Sequence, residues 1–81
     1  MGNGVEVRYF AAARASAGVD SAIFDPSPLA SIVAQISASN PPLAHVISQC
    51  SFLLDSIVVH DLNIFVNDGS VIDVLPKFAG G

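Results

Sequence analysis

Ser27-Pro28-Leu29-Ala30-Ser31-Ile32-Val33-Ala34-Gln35-Ile36 is the stretch on which the fold turns. Leu29, Ile32, Val33 and Ile36 fall at i, i+3, i+4 and i+7, one apolar stripe of a helix, while Ser31, Ala34 and Gln35 face elsewhere. Ser27 is suited to cap its start through the hydroxyl, and Pro28 suits the first helical position, where a missing N–H costs nothing. Asn40-Pro41-Pro42 ends it. Beyond that break, Leu43-Ala44-His45-Val46-Ile47 repeats the helical spacing, which predicts a further short turn of helix.

The flanks supply the surface that this stripe must cover. Val5-Glu6-Val7-Arg8-Tyr9-Phe10-Ala11 alternates, with Val5, Val7 and Tyr9 on one face and Glu6, Arg8 and Phe10 on the other, so it reads as a strand. Ala12 to Ala17 favours a helical turn that Gly18 stops, and Ser21-Ala22-Ile23-Phe24-Asp25 reads as an antiparallel return strand. Ser51-Phe52-Leu53-Leu54 and Ile57-Val58-Val59 form a hairpin about Asp55-Ser56. Asn67-Asp68-Gly69 turns the chain into Val71-Ile72-Asp73-Val74-Leu75, a last strand that Pro76 terminates; the pattern of His60 to Val66 is ambiguous. Two strands, a helix and further strands around it predict an α+β domain of the β-grasp, or ubiquitin-like, type: a mixed sheet packed on one main helix. The domain is expected over residues 1–76, with 77–81 a flexible tail.

Composition narrows the function. With 81 residues the chain makes one domain; 52% are apolar and only 12% charged, which leaves apolar surface for a partner. Three Lys and Arg residues and a net charge of −4 cannot build the basic stripe that nucleic acid demands, and favour a partner with a basic cleft. No apolar run approaches the ~18–20 residues needed to span a bilayer, so a membrane role is not expected. Cys50 is the single cysteine, which rules out an intramolecular disulfide and four-thiolate zinc and points to a reducing, cytoplasmic setting. With no Lys or Arg adjacent in sequence to lower its pKa, Cys50 reads as a structural residue. His45 and His60 lack spaced partners for a metal site, and Asp55, Asp61, Asp68 and Asp73 are too dispersed for paired acid–base work.

Chemistry is expected at the end of the chain. Lys77-Phe78-Ala79-Gly80-Gly81 follows the last strand, and its double glycine can thread a channel too narrow for other residues. Extended, five residues reach roughly 17 Å at ~3.3–3.6 Å each. Asp73 to Gly81 resembles the C-terminus of the ubiquitin-like sulfur carriers, and most closely the small subunit of molybdopterin synthase. Tyr9-Phe10-Ala11 with Arg14 and Gly18 is similar to that family's strand-one signature, and Asn67-Asp68-Gly69 with Val71 and Ile72 to its last turn and strand. Two features depart from the pattern: Leu54-Asp55-Ser56 stands in place of Val-Asn-Gly, and Lys77 in place of a second proline.

The resemblance implies that an adenylating enzyme of the ubiquitin-activating type uses ATP to convert the Gly81 carboxylate to an acyl adenylate, and that a sulfur donor then yields a thiocarboxylate. The chain itself binds no metal or nucleotide on this reading. A larger synthase subunit, forming a heterotetramer, takes the sulfur for the dithiolene of molybdopterin. Gly80, Ala79, Phe78 and Lys77 thread the tail into the partner's site. By alternation Phe10 and Leu75 lie on the uncovered face of the sheet, where with Pro76 they form a partner patch that has Arg8 at its polar rim. The alternatives are a carrier for thiamine or cysteine synthesis, a ubiquitin-like modifier joined to lysines through Gly81, and a binding module with an idle tail.

Overall fold

The structure, a computed structural model, describes residues 4–77. Strand β1 (Val5–Tyr9) leads into helix α1 (Ala11–Ala17), and β2 (Ser21–Phe24) returns antiparallel with Val5 opposite Phe24 and Arg8 opposite Ser21. Gly18 closes α1 as predicted: at φ 76° it holds the left-handed conformation that an L side chain resists, and its N–H donates to the Arg14 carbonyl at 3.0 Å. A two-residue strand β3 (Ser27–Pro28) precedes α2 (Leu29–Ser39) and α3 (Pro41–Ile47). The chain then forms β4 (Cys50–Leu54), β5 (Ile57–Val59), β6 (Phe65–Val66) and β7 (Val71–Pro76).

The main sheet runs β2-β1-β7-β4-β5, with β1 and β7 parallel and the other neighbours antiparallel. It is the mixed sheet of the β-grasp fold, and the last strand in sequence lies at its centre. One face is covered by helices. Val5, Val7 and Tyr9 of β1 and Ile72 and Val74 of β7 pack there against Leu29, Ile32 and Ile36 of α2 and Leu43 and Ile47 of α3, all buried. Alternation in β1 and β7 and the 3.6-residue period in α2 thus converge on one core.

The entry to α2 differs from the expected cap. Ser27 does not cap the helix: its Oγ donates to the Asp25 carbonyl at 3.1 Å, and Pro28, extended at φ −57° and ψ 144°, pairs with Phe65 instead of opening the helix. The first free N–H groups of α2 are taken by the main chain. Leu29 N–H donates to the Ile64 carbonyl at 2.9 Å and Ala30 N–H to the Leu62 carbonyl at 2.7 Å. Backbone acceptors from the 60–66 segment therefore do the work assigned to the serine, which gives that otherwise patternless segment its structural role.

Asn40-Pro41-Pro42 ends α2, as predicted, and also starts α3. The Asn40 Oδ1 accepts from the Leu43 N–H at 3.1 Å while its Nδ2 donates to the Ser16 carbonyl at 3.0 Å, tying α3 to the end of α1. The prolines occupy the opening positions of α3, which lack intrahelical N–H partners in any case. At the β4–β5 hairpin, Asp55 (φ 49°) and Ser56 (φ 74°) both adopt the left-handed conformation of a two-residue turn. Asp55 also receives the Val71 N–H on its Oδ1 at 2.9 Å, so this turn holds the start of β7.

Ile32 is fully buried and Ile36 is 4% exposed at the centre of the core. Ile32→Ala or Ile36→Ala is expected to destabilise the domain by ~2–5 kcal/mol, through lost transfer energy and the cavity left behind. The difference in unfolding free energy from urea titrations, with unchanged slope, measures it.

Candidate functional site

The root of the tail is set by β7. Held between β1 on one side and β4 on the other, β7 carries the chain out at Pro76, whose register partner is Cys50. One further hydrogen bond follows the proline: Lys77 N–H donates to the Gln49 carbonyl at 3.2 Å, so the ladder runs one residue past Pro76. Lys77 is exposed. The remaining residues proposed for threading and chemistry, Phe78, Ala79, Gly80 and Gly81, lie outside the described residues.

Residues of the sheet that point away from the helices share the second face. Tyr9 is opposite Val74 in the parallel ladder, and the Phe10 N–H donates to the Val74 carbonyl at 3.2 Å, which brings Phe10 alongside Leu75. Both are half-buried, as is Pro76. Leu75 in turn lies opposite Ser51 of β4, and Leu53 lies opposite Val58 of β5. Val58, 53% exposed, and Ile23 of β2, 59% exposed, extend apolar surface to both sides.

Arg8 is exposed and lies on the uncovered face, as expected. Register puts Ser21, Arg8, Asp73, Leu53 and Val58 in one row across all five strands. Its Nε donates to Asp73 Oδ1 at 2.6 Å and its Nη2 to Asp73 Oδ2 at 2.9 Å, a bidentate pair. The guanidinium also lies 5.8 Å from the Phe10 ring centroid, within cation–π reach. Hydrogen bonding to Asp73, then its negative charge, holds the Arg8 pKa above its already high value, so the guanidinium stays charged. Asp73 is only 7% exposed, a buried carboxylate covered by its own partner.

Asp73 and Leu53 belong to this face and were not picked out from sequence. Alternation does place Asp73 and Leu75 on one side of β7, but only the parallel register of β1 on β7 reveals that Arg8 and Asp73 meet. Cys50 is buried, and its thiol donates to the Val46 carbonyl at 3.2 Å. Burial pushes the thiol pKa up, and the nearby Lys77 offsets part of that rise. This is the environment of an unreactive thiol. His45 and His60 are both exposed, and among the described residues no group of three or more His, Cys, Asp and Glu side chains could hold a metal ion. No helix among them is long and apolar enough to cross a membrane.

The pair makes a stability prediction. Arg8→Leu leaves the Asp73 carboxylate buried without a partner and should lower the urea midpoint, whereas Arg8→Leu combined with Asp73→Leu should recover most of the loss, because neither charge is then left unpaired. Equal midpoints for the single and double variants would show that the two charges are not coupled.

Comparison with known proteins agrees with this architecture. The family model described as "ThiS family" matches residues 7–81. Among solved structures, the complex of subunits 1 and 2 of molybdopterin-converting factor from Helicobacter pylori matches at 26% identity over 95% of this chain and 97% of that one, with a TM-score of 0.72. The putative molybdopterin converting factor subunit 1 from Pyrococcus furiosus matches at 20% identity, covering 91% and 97%, with a TM-score of 0.80. Small archaeal modifier protein 1 from Methanosarcina acetivorans has the same fold, with 20% identity, 95% of each chain covered and a TM-score of 0.82. No curated protein is significantly similar to the chain in sequence.

Proposed function

Since the chain belongs to the ThiS family of ubiquitin-like sulfur carriers and modifiers, we propose that it is a sulfur carrier and the small subunit of a molybdopterin synthase, with Gly81 as its reacting residue. The observation that carries this reading is the family match, which runs from β1 through the Gly80-Gly81 end. The Helicobacter pylori relative, a complex of two converting-factor subunits, supports a larger subunit as partner.

A carboxylate is a poor acylating agent, because attack on it must expel oxide. On this proposal the Gly81 carboxylate attacks the α-phosphorus of ATP within an adenylating enzyme, pyrophosphate leaves, and the resulting mixed anhydride has AMP as a good leaving group. The terminal sulfur of a persulfide donor displaces AMP to give an acyl disulfide. A thiol then cleaves its S–S bond and leaves the thiocarboxylate on Gly81. In the larger subunit that sulfur enters a pterin precursor as part of the dithiolene.

The domain's contribution is positional. β7 fixes where the tail starts, and the face carrying Phe10, Leu75, Leu53 and the Arg8–Asp73 pair fixes how the domain docks. Because the ion pair is satisfied within the chain, docking over it does not require the partner to neutralise Asp73.

A second reading, a modifier joined to lysines through Gly81, uses the same adenylation and rests on the fold shared with the small archaeal modifier. The two readings diverge after the adenylate: one ends in a thiocarboxylate, the other in an isopeptide.

Deleting Gly81, or adding a residue after it, tests the proposal. Either change moves the reacting carbonyl by ~3.3–3.6 Å, and a misplacement of about 1 Å can already cost ~100-fold in rate. Adenylation, followed as pyrophosphate release with the activating enzyme, is expected to be lost while the urea midpoint is unchanged. Normal adenylation of the chain lacking Gly81 would overturn the assignment. Gly80→Val should behave like the deletion, since its branched side chain collides with a channel shaped for glycine.

The docking face gives a separate test. Phe10→Asp or Leu75→Lys should preserve circular dichroism and weaken binding to the larger subunit by ~2 kcal/mol or more in titration calorimetry. Unchanged affinity would move the docking surface elsewhere.

A further inference from the structure

Beyond the end of β5 the edge of β4 is bare. The β4–β5 ladder runs from Leu54 opposite Ile57 to Phe52 opposite Val59, so no β5 residue stands opposite Cys50. Main-chain groups of successive strand residues point to opposite sides, and the Lys77 N–H meets the Gln49 carbonyl on the β7 side. Those of Gln49, Ser51 and Leu53 therefore turn toward β7, and those of Cys50, Phe52 and Leu54 toward β5. Phe52 and Leu54 find partners there, whereas the N–H and carbonyl of Cys50 have neither a strand nor a loop partner among the described residues. They border a groove of about 360 Å³.

The lining selects the occupant. Val33, Ile47, Phe52, Val59 and Leu62 make the wall mainly apolar. Ser51 and Val58, residues of the open sheet face, form another margin, so the groove and that face are one continuous surface. Lys77 stands in the lining, and none of the chain's seven Asp and Glu residues does. In a chain of net charge −4 with only three Lys and Arg residues, the groove thus has the sign opposite to that of the whole, which favours an anionic occupant. The free donor and acceptor of Cys50 match an extended main chain. A residue opposite Cys50 in an antiparallel ladder exchanges both hydrogen bonds with it and shares its face of the sheet, the helix side. An apolar side chain at that position enters the groove, and a carboxylate beside it meets Lys77.

We propose that the groove takes an extended segment of a partner protein, lying in line with β5 along the bare edge of β4, that carries an apolar side chain with an acidic residue beside it. Main-chain pairing to Cys50 sets its register, the apolar wall takes its side chain, and Lys77 selects its charge. Because groove and open face are continuous, a partner docked over Phe10 and Leu75 is placed to supply the segment, and this last point alone rests on the proposed docking face. Capture of the segment itself depends on the groove and is independent of Gly81.

NMR titration of the isotope-labelled full chain with the peptide acetyl-Glu-Val-Ile-Val-Glu-amide tests it, with acetyl-Lys-Val-Ile-Val-Lys-amide and decanoate as comparison ligands. Saturable shifts are expected at the Cys50 amide and at the methyl groups of Val33, Ile47 and Leu62, with Ile23 on the far edge of the sheet unmoved, and hydrogen exchange of the Cys50 N–H should slow in the complex. The acidic peptide should bind more tightly than the basic one, and Lys77→Glu should reverse that order. Leu62 is 39% exposed and lies outside the core, so Leu62→Asp is expected to fold and to weaken the acidic peptide severalfold. No saturable shift at Cys50, or the same order of the two peptides in the native and Lys77→Glu chains, would overturn the proposal. So would saturable binding of decanoate with no response to the acidic peptide, which would make the groove a site for an anionic amphiphile.

Discussion

Parallel pairing of β1 with β7 joins the two ends of the domain, bringing Arg8 onto Asp73 across a separation of 65 residues. A parallel pair cannot be closed by a tight hairpin, so everything between these strands, including α1, α2, α3 and the β4–β5 hairpin, serves as the crossover. Once the pair is formed, Val7 with Ile72 and Tyr9 with Val74 present a single apolar surface to Leu29 and Ile32. The opposite surface receives Phe10 beside Leu75 and the bidentate ion pair between them and Ser21. The exit point of the tail follows from the same ladder.

Much of this was legible in the residues because each element depends on a local period. Alternation in Val5 to Phe10 gave the inward and outward faces of β1, and the stripe Leu29, Ile32, Ile36 gave the buried face of α2. Two-residue turn chemistry at Asp55-Ser56 needs only left-handed backbone, which Asp tolerates, so the hairpin could be read without its partner strands. What escaped depends on distant pairing. Ser27 is a good capping residue by type, but the carbonyls of Leu62 and Ile64 reach α2 first, and nothing local to Ser27 reports that competition. The 60–66 segment had no period because it contributes main-chain acceptors and a two-residue strand rather than a side-chain face.

The ion pair shows the same limit at the candidate site. Arg8 was identifiable as outward-facing, but its meeting with Asp73 depends on the register of a strand 65 residues away. A guanidinium held by a nearly buried carboxylate and lying near Phe10 is neutralised within the chain, in a row that continues to Leu53; on the proposed function, docking over it would rest on shape and apolar contact more than on net charge. On the proposed function, the acidic excess of the chain, −4 overall, would favour a partner with a basic cleft.

On the proposed function the domain is a scaffold that presents the carboxyl group of Gly81 for conversion to a sulfur nucleophile. Intact mass, followed by mass of the C-terminal peptide, tests it most directly after incubation with an activating enzyme of the ubiquitin-activating type, ATP, a persulfide donor and a thiol. The expected result is that one oxygen is replaced by sulfur and that the change maps to the peptide ending in Gly81. An unchanged mass, under conditions where the same enzyme sulfurates its own carrier, would contradict it.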